Sequence, residues 1–146
     1  MRLVPPIWFV LGIIAMIVLA RLVPIVQWHV PALRWAGIAL IVAGLAVALA
    51  GAREFRRRGT PVKPFSQATA LVVEGPYRFT RNPMYLGLAT ILAGVALALE
   101  ALAPFLVIPV FVAIITRLFV LPEEAMMKER FGYAYADFQR RVRRWL

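Results

Sequence analysis

Four long apolar runs constrain what this chain can fold into more than any other feature of its sequence. Three runs contain no charged residue and the fourth contains only Arg117; they cover residues 3–20, 35–52, 83–99 and 101–121. Each is close to the roughly 20 residues that cross the hydrocarbon core of a bilayer. The chain is also 62% hydrophobic, above the range of about 45–50% typical of soluble domains.

We therefore predict an all-α integral-membrane protein, a single domain over residues 1–146 with four transmembrane helices. The predicted helices cover about 3–21, 35–52, 83–99 and 102–121. The first run could instead be a secretory signal peptide. Its end, Val18-Leu19-Ala20, lacks the small-x-small pattern of a cleavage site, which favours a helix that is retained.

Turn residues divide the predicted helices into two hairpins. Helices 1 and 2 are joined by residues 21–34, and helices 3 and 4 by a tight turn at 100–104. A loop over 53–82 joins the hairpins, and a tail follows over 122–146. Pro122 would end helix 4 and begin the tail helix, since proline suits a first helical position.

The tail has an amphipathic pattern. Its apolar side chains recur at helical spacing with arginines between them; they are Met127, Phe131, Phe138, Val142 and Trp145. This pattern predicts a helix lying on the membrane surface, with Gly132 as an interruption.

Basic residues are concentrated on one side of this arrangement. The net charge is +10, and all 17 lysines and arginines except Arg21 and Arg34 lie at the termini, in the 53–82 loop or near the inner end of helix 4. The positive-inside rule then places both termini and that loop in the cytoplasm, with the protein in the inner (cytoplasmic) membrane. Anionic membrane lipids are the expected partners of these charges, and nucleic acid is not.

The content of cysteine and histidine limits the possible chemistry. The chain has no cysteine and one histidine, His29. Disulfides, thiolate nucleophiles and cysteine-based metal sites are excluded. His29 lies in an outer loop beside Trp28 and is interpreted as an interfacial residue, so no metal is expected.

Small residues form stripes on two helices. Gly37, Gly44 and Gly51 are seven residues apart on helix 2, and Gly87 and Gly94 have the same spacing on helix 3. Such stripes let helix backbones approach closely within a membrane, so we interpret them as packing surfaces.

Two polar clusters border the predicted cytoplasmic ends of helices 3 and 4. The first is GPYRFTRNPMY, residues 75–85, in which Asn82 and Pro83 form a good helix start, with the Asn side chain as cap. Its arginines and tyrosines also suit a membrane interface.

The second cluster joins Arg117 to the pair Glu123 and Glu124. An arginine inside an apolar span, close to two acidic residues in a chain with only seven, suggests function. A short 3–4 hairpin would bring both clusters together. Carboxylates, tyrosines, an arginine and free helix N–H groups would suit a zwitterionic cofactor that carries an aromatic ring, beside an amphiphilic substrate in the lipid.

The segment LVVEGPYRFTRNPMYLG, residues 71–87, resembles the signature of the integral-membrane methyltransferases typified by isoprenylcysteine carboxyl methyltransferase. The phospholipid N-methyltransferases are close relatives of that family. The resemblance extends over residues 69–146. Its matching elements are Leu71-Val72, Gly75-Pro76-Tyr77, Arg81-Asn82-Pro83-Met84-Tyr85, Glu123-Glu124 and Phe131-Gly132-Tyr133-Ala134-Tyr135.

This resemblance implies methyl transfer from S-adenosylmethionine to a lipidic acceptor at the membrane face. The implied cofactor-binding residues are Thr69, Leu71, Val72, Tyr77, Arg81, Asn82, Pro83, Tyr85 and Glu123. Residues 69–72 would act largely through backbone groups, and Glu123 would bind the ammonium group. Asn82 replaces the family's usual histidine, so a mechanism needing a titratable group there is not expected.

The implied acceptor is a lipidic or prenylated amphiphile. Carboxylate O-methylation is favoured, because a carboxylate needs no general base and Arg117 could hold it. An amine acceptor must lose a proton, and Glu124 is the candidate base. The alternatives are a phospholipid amine N-methyltransferase and a non-catalytic lipid-binding membrane protein.

Overall fold

The computed structural model describes residues 4–62 and 68–146. Within these ranges the chain is helical and contains no β-strand. The five α-helices are α1 (Pro5–Leu22), α2 (Pro31–Arg57), α3 (Pro83–Ala98), α4 (Val107–Ile115) and α5 (Leu121–Arg141). The predicted start of helix 1 at residue 3, and the basic residues Arg2 and Lys63, lie outside the described residues.

Three helical stretches of the described chain are long and apolar enough to cross a membrane. They are Pro5–Leu22, Pro31–Arg57 and Ala103–Arg141. Helix α3 is also apolar but has only 16 residues, a length of about 24 Å at 1.5 Å per residue. The all-helical character is confirmed for the described residues, three segments are candidate membrane spans, and the fourth span stays a prediction.

The predicted break at Pro122 is wrong. Helical structure continues from Ala103 to Arg141, with a π-helical segment over Thr116–Val120. Pro122 lies in the first turn of α5. The widened π turn before it changes the hydrogen-bonding pattern at the place where a proline cannot donate.

The interruption at Gly132 is confirmed. Its backbone lies at φ 48° and ψ −119° within α5, a conformation that glycine adopts far more readily than residues with a side chain.

The two-hairpin arrangement is not confirmed. Helix α2 packs along α3, while α1 packs against α3, α4 and the short turn Ala103–Leu106. Helix α2 also extends beyond the predicted 35–52 at both ends. Its last turn therefore occupies part of the segment that was predicted to be a loop.

The glycine stripes explain why α2 lies on α3. A Cβ atom added at Gly44 would lie 2.6 Å from the carbonyl oxygen of Gly87, and one added at Gly94 would lie 2.5 Å from that of Gly37. The two backbones are therefore in direct contact at two levels, and the predicted packing role of the stripes is confirmed. This contact fixes the end of α2 beside the start of α3.

Helix α3 is also the centre of the apolar core. Leu92 is fully buried, together with Met16 of α1 and Ile115 at the end of α4. Burial of this kind holds α1 and α4 against α3.

The connections at the other end of the bundle are tied to each other. The backbone N–H of Trp28 donates to the carbonyl oxygen of Glu100 at 3.0 Å, and Arg34 Nη2 lies 2.8 Å from Glu100 Oε2. These contacts hold the 23–30 connection and the start of α2 against the 99–103 turn.

The apolar face of the tail packs against the rest of the protein. Phe138 and Val142 are buried in a cluster with Val72 and Tyr77, and Trp145 packs against the core around α3. The amphipathic prediction holds, but the apolar face covers protein because the 71–78 segment supplies an apolar surface beneath it.

We expect Gly87→Ala to destabilise the protein by about 1–3 kcal/mol, because overpacking a tight contact forces the backbones apart. The new Cβ would lie 2.5 Å from the carbonyl oxygen of Gly44. The melting temperature in detergent measures the loss. Gly12→Ala is the matched control, since its Cβ would meet nothing closer than 3.7 Å. Equal melting temperatures for the two variants would contradict the close contact.

Candidate active site

A cavity of about 430 Å³ lies where α2 ends, α3 begins and α5 begins. Its size falls in the range of about 300–1,000 Å³ typical of small-molecule sites. The apolar part of its wall includes Phe55, Leu71, Val72, Met84, Met126, Met127 and Phe138. The polar part includes Tyr77, Arg81, Asn82, Tyr85, Glu123, Glu124 and Tyr135. The structure therefore brings both polar clusters of the sequence to one place.

The short turn Gly75–Arg78 places Tyr77 in the wall. Gly75 has φ +59°, and a Cβ there would lie 3.0 Å from Glu54 Cγ, so both the turn and the close approach to α2 favour glycine. The Tyr77 ring lies 5.4 Å from that of Phe55. Burial raises the pKa of Tyr77, and the charge of Glu123 adds to the shift. Tyr77 therefore stays a neutral phenol.

Tyr85 links the first turn of α3 to the first turn of α5. Its hydroxyl donates to Glu123 Oε1 at 2.8 Å. The described residues place no cation in an ion pair with Glu123. Glu123 is thus a carboxylate in the cavity wall whose one observed partner is a neutral phenol.

Glu124 has a different environment. Arg144 binds it through two hydrogen bonds, Nε to Oε1 and Nη2 to Oε2, each 2.9 Å. Arg81 Nη1 also lies 3.2 Å from Glu124 Oε1. Donation of these hydrogen bonds to Glu124 raises the pKa of Arg144. Both oxygens of Glu124 are committed to guanidinium groups, an arrangement that favours a positioning role over the predicted role as a base.

Asn82 does not cap α3 with its side chain, so that prediction is wrong. Its Nδ2 donates to the carbonyl oxygen of Arg144 at 3.0 Å. Thr80 Oγ1 donates to the same oxygen at 3.2 Å, and the Arg81 N–H donates to the carbonyl oxygen of Arg143 at 2.9 Å. The hydrogen bond from Nδ2 to Arg144 holds the Asn82 amide in an orientation in which its oxygen accepts from no N–H group of the helix start.

Three predicted site residues do not line the cavity. Thr69 Oγ1 donates to the Gly59 carbonyl oxygen at 3.1 Å. Pro83 is buried behind the wall, where a Cβ at Gly51 would lie 3.0 Å from its Cγ. Arg117 is exposed within the π segment and is not part of the lining. Their predicted roles remain predictions.

Sequence reasoning missed Arg144 and the contribution of the α2 end. Arg144 belongs to a basic tail that was interpreted as a topology signal, and nothing in its spacing distinguished it from its neighbours. Phe55 was assigned to a loop because the apolar run ends at residue 52. The part of a helix that extends beyond its apolar segment cannot be recognised from hydropathy.

Residues 32–134 match the family model described as phospholipid methyltransferase. The chain belongs to the phospholipid methyltransferase family. This confirms the family relationship predicted from residues 71–87, and the match also extends back into α2. No curated protein matches the chain, and no solved structure does. Arg144 lies beyond the matched range.

Enzymes of a methyltransferase family generally use S-adenosylmethionine, and the cavity fits its charged groups. Buried polar atoms without hydrogen-bond partners among the described residues include Tyr77 Oη and Arg81 Nε. These donors suit a carboxylate, and Glu123 suits an ammonium group. The apolar wall suits an aromatic ring. The described residues contain no cluster of three or more potential metal ligands.

We expect Glu124→Gln to destabilise the fold by about 1–3 kcal/mol, because it leaves two guanidinium groups without their anion. Glu123→Gln is the matched control, since its amide oxygen still accepts from Tyr85. Melting temperatures in detergent compare them. A larger loss from Glu123→Gln than from Glu124→Gln would contradict these assignments.

Proposed function

We propose that this protein transfers a methyl group from S-adenosylmethionine to a lipidic amphiphile at the cytoplasmic face of the membrane. The observation that carries the proposal is the polar wall of the cavity. Glu123 supplies a carboxylate without an ion-pair partner, while Arg81 and Tyr77 supply buried donors without acceptors among the described residues. A zwitterionic ligand would offer an ammonium group to the carboxylate and a carboxylate to the donors.

The cofactor supplies a methyl group on a sulfonium centre, which needs no metal and no enzyme nucleophile. The protein contributes binding and alignment. Well-oriented reactants recover on the order of 7–11 kcal/mol of a barrier. In this proposal Glu123, oriented by Tyr85, holds the ammonium group, Arg81 and Tyr77 hold the carboxylate, and the side chains of Leu71 and Val72 exclude water.

The cavity side of the protein is the cytoplasmic side in this proposal. Arginines at the end of α2 and in the C-terminal segment surround the cavity end, whereas Arg34 pairs with Glu100 at the opposite end. The positive-inside rule then favours a cytoplasmic cavity and cytoplasmic termini. S-adenosylmethionine and a membrane lipid could both reach a site at that interface.

For the acceptor, we favour a phospholipid amine over a prenylated carboxylate. The ammonium form of such an amine must lose a proton before its nitrogen can accept a methyl group, and in this proposal the proton passes to water at the interface, because both oxygens of Glu124 are held by a guanidinium group. A carboxylate acceptor would be held by Arg117, and Arg117 is exposed outside the cavity lining. The family description names phospholipids as the substrate class. Carboxylate O-methylation remains the alternative to be tested.

Replacement of Glu123 tests the cofactor site. We expect Glu123→Gln to weaken S-adenosylmethionine binding about tenfold or more, because a charge-assisted contact contributes about 1.5–3 kcal/mol. Isothermal titration calorimetry in detergent measures the affinity. Asp137→Asn is the control, as Asp137 pairs with Arg140 and Arg141 away from the cavity. No binding by the folded wild-type protein at saturating cofactor would overturn the proposed function.

The acceptor class is tested with methyl-labelled cofactor. Vesicles containing phosphatidylethanolamine and vesicles containing a prenylcysteine analogue are offered separately to the wild-type protein, and the extracted lipids are counted. We expect label in the amine phospholipid. Label only in the prenylcysteine analogue would establish carboxylate methylation instead.

A further inference from the structure

The last five residues, 142–146, form a strap that leaves α5 and returns to the start of α3. Val142 has extended backbone geometry, φ −124° and ψ 132°, which ends the helix and redirects the chain. Val142 is buried in the cluster with Tyr77, and Trp145 packs against the core around α3. The C-terminal strap is therefore anchored by apolar contacts on both sides of Arg144.

Polar contacts fix the backbone of the C-terminal strap between those anchors. The carbonyl oxygen of Arg144 accepts from Asn82 Nδ2 and Thr80 Oγ1, and that of Arg143 accepts from the Arg81 N–H. Asn82 is an uncharged donor here, so it holds the C-terminal strap without changing the charge of the site. The Arg144 side chain is thereby directed at Glu124.

The charges at this point do not balance. Arg81 and Arg144 share the single carboxylate of Glu124, and Arg144 holds it through both oxygens. The Arg81 side chain is only 10% exposed, and its Nε and Nη1 make no hydrogen bond among the described residues. Within the group of Arg81, Glu124 and Arg144, one positive charge remains, and Arg81 carries the donors that have no acceptor among the described residues; Glu123, the preceding residue of α5, is the neighbouring carboxylate of the wall.

We propose that Arg144 is a positioning residue that occupies Glu124, so that Arg81 stays available to bind the carboxylate of S-adenosylmethionine. This inference rests on the proposed function and deepens it. Without Arg144, Glu124 would form the two-point pair with Arg81 that guanidinium and carboxylate groups favour. The cavity wall would then be neutral at that place and would lose its affinity for an anion.

The test compares two ligands, S-adenosylmethionine and decarboxylated S-adenosylmethionine, by calorimetry in detergent. The second ligand keeps the ammonium and sulfonium groups and lacks the carboxylate. For Arg144→Gln we expect about a tenfold or greater loss of affinity for S-adenosylmethionine, the size of one lost contact to a charged group. Affinity for the decarboxylated ligand should stay unchanged.

Arg143→Gln is the matched control, because the exposed Arg143 contacts Arg81 only through its backbone carbonyl. It should bind both ligands like the wild type. Arg144→Lys retains a cation beside Glu124 and should preserve most of the preference for the carboxylate. It also provides the measurement if Arg144→Gln does not fold.

A double variant gives the sharpest outcome. Glu124→Gln combined with Arg144→Gln removes the competing anion as well, so the donors of Arg81 are again available to a ligand and the preference for the carboxylate should return. The positioning role would be overturned if Arg144→Gln weakened the binding of both ligands equally. It would also be overturned if a folded double variant did not recover the preference for the ligand that carries the carboxylate. Failure of the wild-type protein to bind either ligand would instead overturn the proposed function on which this role rests.

Discussion

The backbone contact between α2 and α3 is the constraint on which the candidate site depends. In a membrane, lipid tails remove most of the hydrophobic drive for helix association, so close packing has to hold helices together. The pairs Gly37–Gly94 and Gly44–Gly87 provide it. They also bring the last turn of α2, with Phe55, beside the first turn of α3, and the cavity lies at that junction.

Neighbouring carboxylates have separate tasks at this junction. Successive residues of a helix point about 100° apart, so Glu123 and Glu124 face different partners. Glu123 meets the hydroxyl of Tyr85, whereas Glu124 meets Arg144 and Arg81. The first arrangement leaves a carboxylate ready for a cationic ligand group. In the second arrangement, Arg144 neutralises the negative charge of Glu124, and the remaining positive charge of these three side chains is on Arg81.

Features that depend on a local sequence pattern could be predicted from the sequence. The predictions were wrong where contacts between distant residues determine the structure. Apolar runs predicted the helices, glycine spacing predicted their packing surfaces, and the 75–85 motif predicted most of the polar wall. Pro122 was expected to end a helix because a π segment is invisible to periodicity. The Asn82 cap failed because the side-chain amide is instead held by its hydrogen bond to a strap 62 residues away, and Arg117 was placed by proximity in sequence alone.

A crystal structure of the protein with S-adenosylhomocysteine, grown from a lipidic phase, tests the central claim most directly. This product retains the zwitterionic end and the adenine ring of the cofactor. We predict that it lies in the cavity between α3 and α5, with its ammonium group at Glu123 and its carboxylate at Arg81. Binding elsewhere on the protein, or with the zwitterionic end directed away from both side chains, would contradict it.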